Sequence, residues 1–343
     1  MENLYVLRKI GKICGKLLGN MDMKNVKNVK SINYYQIDYN VNKIFEREGA
    51  VIFSSPEAYK KLRWTRDYFK QEPKEGYFIW VKKSIDCPLT TCITISSPKV
   101  IQKPENLVVI EKNVEVKIQS ICNASKKNLE GKHTGCSKII LRENSVLKMK
   151  HFHSWGKRDW VESSLEFFLG KGAKLSHTYK CLEIPMKLKI ENDTYLKENS
   201  SSNLIITILA KDGEVDMHDS TFLNGRESNG ISRLRMIGDK RSKIVARSQM
   251  VANDAGTGHV DCMGLLLSKN SSIQAIPELI NRNKDALLTH EASVGKISEE
   301  TLNYLRSRGL TEDEAIDLIV TGFLGEEEPI IIKGRIVPSK LYM

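Results

Sequence analysis

The sequence predicts a mainly β chain: a right-handed parallel β-helix, or β-solenoid, preceded by a mixed α/β segment and followed by a helical region. Three observations predict it. Turn-prone residues recur every 28 positions, at Asn144-Ser145, Gly172-Ala173, Ser200-Ser201, Ser228-Asn229 and Gly256-Thr257. Short alternating or β-branched runs follow these markers, such as Val146 to Met149, Lys174 to His177, Leu204 to Ile208 and Ile231 to Met236, and they read as strands. No helical pattern between the runs is long enough to form a crossover, so each strand should stack on the strand one period earlier. An antiparallel sandwich with evenly spaced hairpins would share the spacing. Its Asn-Gly turn signals are scarce, at Asn224-Gly225 and Asn229-Gly230, which favours the solenoid.

In chain order, residues 1–75 form the mixed N-terminal segment. Leu7, Ile10, Cys14, Leu17 and Leu18 alternate with Lys9, Lys12 and Lys16, an amphipathic helix rather than the unbroken apolar core of a secretory signal. A second helix is expected from Pro56 to Phe69. Gly11-x3-Gly15-Lys16-Leu17 lacks the glycine spacing and the hydroxyl residue of a phosphate loop, so ATP is not bound that way.

Residues 76–292 form the β-helix core, with about six rungs of the repeat. Its earliest legible rung is Glu105 to Cys122, where Asn113 precedes the strand as Asn144 does, 31 residues earlier. Residues 293–343 form the C-terminal region. Ser298 precedes an amphipathic run through Leu302 and Leu305 that Gly309 stops. Thr311-x-x-Glu314 is a capping box for a second helix through Ile316, Ile319 and Val320, expected to stop at Gly322.

Composition limits the function. The chain has 343 residues, 41% apolar and 28% charged, so it can bury a core and is not a disordered chain. The longest apolar run, Leu204 to Ala210, is too short to cross a bilayer and contains Thr207. The net charge of +11 comes from lysines spread along the chain, a solvated surface rather than a nucleic-acid footprint. Seven cysteines at irregular spacing argue against a disulfide framework, and a reducing cytoplasm is expected.

Two groups of residues could carry chemistry. His151 and His153 share one face of a strand, and His133, Cys122 and Cys136 could add ligands, but no zinc-finger spacing accompanies them. Structural histidines are the plainer reading, with His153, Cys181, Cys122 and His133 as secondary metal candidates; Cys181 follows His153 by one period. The second group is Cys262, His290 and Glu291. Cys262 and His290 are 28 residues apart, so an unbroken register places them side by side on adjacent rungs, about 4.8 Å apart. Glu291 would then face the other way unless a bulge intervened. A thiol, an imidazole and a carboxylate suit iron and sulfur, a nucleophilic cysteine with its base, or an inert buried cysteine; the spacing leaves all three open.

At these residues the sequence resembles the SufB/SufD family, the scaffold subunits of SUF iron–sulfur cluster assembly. The matching text is Gly258-His-Val-Asp-Cys-Met-Gly-Leu-Leu, Ile276-Pro277, His290-Glu-Ala-Ser-Val-Gly-Lys-Ile297, Leu302-x-Tyr304-Leu-x-Ser-Arg-Gly309 and Glu314-Ala-x-x-x-Ile319-Val-x-Gly-Phe323. Weaker resemblance extends back to about Gln102. It implies a right-handed parallel β-helix that dimerises through its strands and docks a SufC-like ABC ATPase on its C-terminal helices. It further implies that Cys262 and Glu291 correspond to the cysteine and glutamate of the B-type subunit, and His290 to a histidine of the D-type. A chain with all three could act as a homodimer, receiving sulfur at Cys262 with His290 and Glu291 as ligand candidates.

The function implied is a cytoplasmic scaffold, not an enzyme, that builds a transient iron–sulfur cluster and passes it to recipient apo-proteins. ATP would be hydrolysed by the partner; a flavin would be compatible, but no residue pattern supports one. After Phe323 the chain departs from the family's usual further helix, running through Glu326-Glu-Glu-Pro-Ile-Ile-Ile to Met343. A cluster-free interaction scaffold is the alternative, and a β-helix enzyme acting on acidic polysaccharide is a more distant one.

Overall fold

Inward and outward residues alternate along strand after strand. In Glu214–Leu223, Val215, Met217, Asp219, Thr221 and Leu223 are buried, while Glu214, Asp216 and His218 are exposed. Such a period of two is what a sheet with one face on a core requires. A computed structural model describes residues 32–45, 47–324, 330–332 and 335–337. The helix expected at Leu4 to Leu18 and the Gly11-Gly15-Lys16 segment lie outside the described residues.

The described residues begin with β1 (Tyr34–Ile37), β2 (Asn40–Ile44) and β3 (Ala50–Ser54), then helix α1 (Ser55–Lys61) and a 3-10 turn at Arg63–Asp67. Next come β4 (Tyr77–Val81), β5 (Leu89–Ile95), β6 (Ile101–Gln102), β7 (Glu105–Ile110) and β8 (Glu115–Ala124). The regular rungs follow as β9 (Lys132–Leu141), β10 (Val146–Ser154), β11 (Trp160–Leu169), β12 (Lys174–Glu183), β13 (Lys187–Leu196) and β14 (Ser201–Ala210). They continue with β15 (Glu214–Leu223), β16 (Ser228–Gly238), β17 (Lys243–Ala252), β18 (Gly256–Leu266), β19 (Ser272–Asn281) and β20 (Leu287–Lys296). Helices α2 (Glu299–Ser307) and α3 (Glu312–Leu324) and a small hairpin, β21 (Ile330–Ile332) with β22 (Arg335–Val337), close the described chain.

The strands form two facing sheets. The first runs β2-β1-β5-β8-β10-β12-β14-β16-β18-β20, and the second β19-β17-β15-β13-β11-β9-β7-β4-β3. Pairing is parallel except at the starting edges, β1 with β2 and β3 with β4. Parallel stacking excludes the antiparallel sandwich and makes a solenoid of about eight turns. The sequence period had shown about six, because only the rungs with regular markers are legible.

Each rung supplies one strand to each sheet, and the periodic markers are the corners between them. Asn113, Asn144, Gly172, Asn199 and Glu227 all have positive φ. A glycine suits such a corner without steric cost, and asparagine tolerates it better than most residues. At Gly172 the requirement is doubled, because a Cβ would lie 2.2 Å from Asn144 Oδ1 on the preceding corner. The period is close to constant rather than fixed. Val146 pairs with Lys174, Lys174 with Ser201, and Ser201 with Asn229, so one rung is a residue shorter than its neighbours.

The helix expected at Pro56 to Phe69 is present but split. Ser54 caps α1 by accepting from the Glu57 amide, and the chain turns extended at Leu62 before the 3-10 turn. At the other end, Ser298 accepts from the Thr301 amide, and Thr311 and Glu314 make the reciprocal bonds of a capping box. Helix α3 runs two residues past Gly322, correcting the expected stop. Packing explains the overrun: Val320 and Leu324 bury against Leu209, Ile237 and Leu265 on the outer face of β14, β16 and β18.

Candidate functional site

Cys262 sits midway along β18 with its side chain in the solenoid interior and no solvent exposure. Its column runs Ser120, His151, Tyr179, Ile206, Leu234, Cys262 and Ala292, one residue from each successive rung. Burial pushes its thiol up to about 12, the Asp219 and Asp261 carboxylates push the same way, and Arg235 opposes them. The resting sulfur is therefore a protonated thiol, not a free thiolate.

The expected adjacency of Cys262 and His290 is not present. In the β18–β20 register Val260 is opposite His290, Asp261 opposite Glu291, and Cys262 opposite Ala292. The cause lies in the turn: residues 282–286 separate β19 from β20, whereas residues 253–255 suffice between β17 and β18. Two added residues shift the register by two and preserve the facing of each strand. His290 consequently shares the face of Cys262, displaced along the strand, and Glu291 takes the outer face. No bulge interrupts β18–β20, so within one chain Cys262 and Glu291 lie on opposite sides of the sheet.

Strand β20 is the terminal strand of the first sheet. His290 and Glu291 are both exposed, because among the described residues no further strand pairs with β20. On the outer face beneath Glu291, Asp261 is held by Arg235, whose Nη1 lies 3.0 Å from Asp261 Oδ1 and Nη2 2.5 Å from Oδ2. That bidentate pair fixes the carboxylate next to Glu291 in register.

The interior carboxyl that acts on Cys262 is Asp219, which sequence reasoning missed. It is fully buried on β15, and its Oδ2 accepts from Ser232 Oγ at 2.5 Å and Ser248 Oγ at 3.5 Å. Its Oδ1 has no hydrogen-bond partner among the described residues, and neither side-chain polar atom of Asn192, its register neighbour, has one. Desolvation raises the carboxyl to about 7, with the two serine hydroxyls opposing the rise. One signal could have found it: a single acid at an inward position between Val215, Met217 and Leu223.

The secondary candidates fall deeper inside, in rungs β8 to β12. His153 pairs with Cys122 on one side and Cys181 on the other, as the 28-residue interval predicts for Cys181. His151 Nε2 lies 3.9 Å from Cys122 Sγ and 3.0 Å from His153 Nε2, while His153 Nδ1 is 2.8 Å from the Tyr179 hydroxyl. His133 stands apart, its Nδ1 3.1 Å from Gln102 Oε1. Cys136, three positions along the same strand and on its opposite face, is exposed. Cys181 Sγ is 3.6 Å from the Glu183 carbonyl oxygen. Burial lowers His133 to about 3 and His151 to about 4, so these rings are neutral.

Among the described residues no helix is long and apolar enough to cross a membrane. Residues 93–323 match the family described as "SUF system FeS cluster assembly, SufBD core domain". An "iron-sulfur cluster assembly SufBD family protein" of Archaeoglobus fulgidus is 32% identical over 307 residues, 84% of this chain and 81% of that one. A protein of the same description from Methanothermobacter thermautotrophicus is 33% identical over 255 residues, 73% of this chain and 62% of its own length. A third, from Pyrococcus horikoshii, is 31% identical over 261 residues, 75% of this chain and 58% of its own. With the match spanning the corners, both sheets and the helix pair, the chain belongs to the SufBD family of iron–sulfur cluster assembly proteins.

Proposed function

We propose that the chain is a non-enzymatic scaffold on which an iron–sulfur cluster is built, with Cys262 as the sulfur acceptor. The observation that carries this reading is the family match over residues 93–323, which includes Cys262 and both helices. The thiol faces the interior one strand from the open end of the solenoid, opposite the small side chain of Ala292. Sulfane sulfur passed to Cys262 from a persulfide donor, whose thiol leaves, would be shielded from solvent; iron binding directly to the Cys262 sulfur would instead displace the proton of a thiol that burial keeps neutral.

His290 and Glu291 are the further ligand candidates, both on the exposed strand β20. Because Glu291 and Cys262 occupy opposite faces of one sheet, a single chain does not converge them on one ion. A second copy pairing along β20 would cover that strand and bring a second set of these residues to the same edge. Its edge, unpaired among the described residues, and the exposed Leu287 and Val294, at 62% and 41%, support a homodimer through the β-helix. A SufC-like ATPase would dock on α2 and α3. None of the side chains of α2 is buried and Tyr304 is 57% exposed, so that helix has a free face to offer. The completed cluster would pass to apo-proteins.

Anaerobic reconstitution with iron and sulfide tests the assignment of Cys262. Wild type should take up acid-labile sulfide and iron together, and Cys262→Ala should take up little of either. Equal content in the two would remove Cys262 as a cluster ligand.

A further inference from the structure

The interior of rungs β8 to β12 holds polar groups that cluster assembly at Cys262 does not use. At β14 and β16 the inward positions in the two central columns of the first sheet are apolar: Ile206, Ile208, Leu234 and Met236. At β8, β10 and β12 they are instead Ser120, Cys122, His151, His153, Tyr179 and Cys181. Ile206 and Leu234 separate this centre from Cys262 along the column.

The sulfur of Cys122 and one ring nitrogen each of His151 and His153 all lie within 4.8 Å of one another, and all three residues are buried. Their surroundings leave polar atoms unsatisfied. His151 Nδ1, both ring nitrogens of the adjacent His177, and Trp155 Nε1 have no hydrogen-bond partner among the described residues. Buried polar atoms are rarely left unpaired in a purely structural core, and their concentration here marks this stretch of the interior as polar.

We infer that Cys122, His151 and His153 bind a thiophilic divalent transition-metal ion, of the zinc(II) or iron(II) class, inside the solenoid. One thiolate and two imidazoles form a soft-to-borderline donor set that selects against magnesium and calcium. Coordination through His153 Nε2 leaves the ring proton on Nδ1, where the Tyr179 oxygen accepts it and fixes the ring. The Cys122 thiol releases its proton as the metal–sulfur bond forms, so one proton leaves for each ion bound. His133 is held by Gln102 and takes no part. All three ligand residues are buried, so the ion would enter as the rungs assemble.

Cobalt(II) is the probe, supplied to cells that produce the full-length chain in medium depleted of zinc and iron. The chain is then purified anaerobically, in a Cys262→Ala background so that the proposed assembly cysteine contributes nothing. Stoichiometric cobalt with a thiolate-to-cobalt charge-transfer band is expected, and Cys122→Ser should abolish the band. His151→Phe with His153→Phe should lose at least tenfold in cobalt content; the near-isosteric Cys122→Ser keeps the test valid should that pair fail to fold. Absence of cobalt from the Cys262→Ala chain, or a band and content unchanged by Cys122→Ser, overturns the inference. The assignment of Cys262 fails separately, on sulfide uptake, and leaves this outcome unaffected.

Discussion

Around β10 and β12 the first sheet is closed on both sides by neighbouring strands, and His151, His153, His177, Tyr179 and Cys181 are all buried. Around β20 the same sheet ends, and of that strand's ten residues only Leu288 is even half-buried. Both regions follow the same inward–outward alternation, so the contrast comes from stacking rather than from sequence pattern. A rung with a neighbour on each side can dehydrate imidazoles and thiols; the last rung leaves them in water. In this fold a residue's distance from the open end sets its protonation state and the partners it can reach. Cys262 lies at the boundary, fully buried yet one strand from the edge.

The largest expected effect tests how dry the interior is near that boundary. The neutral Asp219 carboxyl is favoured by folding, since its pKa rises from an ordinary 3.8 to about 7. Its contribution to stability is complete below about pH 4 and is lost as pH rises through about 7, a change of about 4 kcal/mol at most. Denaturant midpoints measured from pH 4 to 8 should fall across that window in wild type and flatten in Asp219→Asn. An equal slope in both would mean that water reaches Asp219 and that the closed interior ends earlier than β15.

A matched pair of truncations sharpens the contrast directly. Ile206→Ala, in a closed rung, should cost about 3 kcal/mol in chemical denaturation, and Leu287→Ala, on the terminal strand, below about 0.5 kcal/mol. At concentrations where a dimer covers β20 the second value should rise, and its growth with protein concentration would report that covering. The smallest effect concerns the helices that follow. Thr311→Ala removes the capping box of α3 and should lower stability by about 1 kcal/mol, with β-sheet circular dichroism unchanged because α3 lies on the outer face.

Much of the architecture was legible because a solenoid writes itself into the chain. Asn144, Gly172 and their successors recur since the corners of successive rungs stack on one another, five of them through the left-handed region, and Cys181 could be placed beside His153 by counting. The facing strands of the second sheet were less visible, having no marker residue of comparable regularity. The site was legible in part. Cys262, His290 and Glu291 stood out, but their mutual geometry depended on the length of one turn, 282–286, and a two-residue excess there moved His290 from Cys262 to Val260. Asp219 escaped notice because one acid in an alternating strand resembles any other until its neighbours are known.

The sequence by itself determined the repeat, the inward and outward faces, the helix caps and the family. Those properties depend on residues close in the chain or separated by a near-constant interval. Tertiary structure alone decided which strand ends the stack, which carboxyl shares the interior with Cys262, and which histidines lie within ligand distance of Cys122. These are set by contacts between rungs, where the exact register, and the water that stacking excludes, change the chemistry of residues whose identity the sequence had already shown.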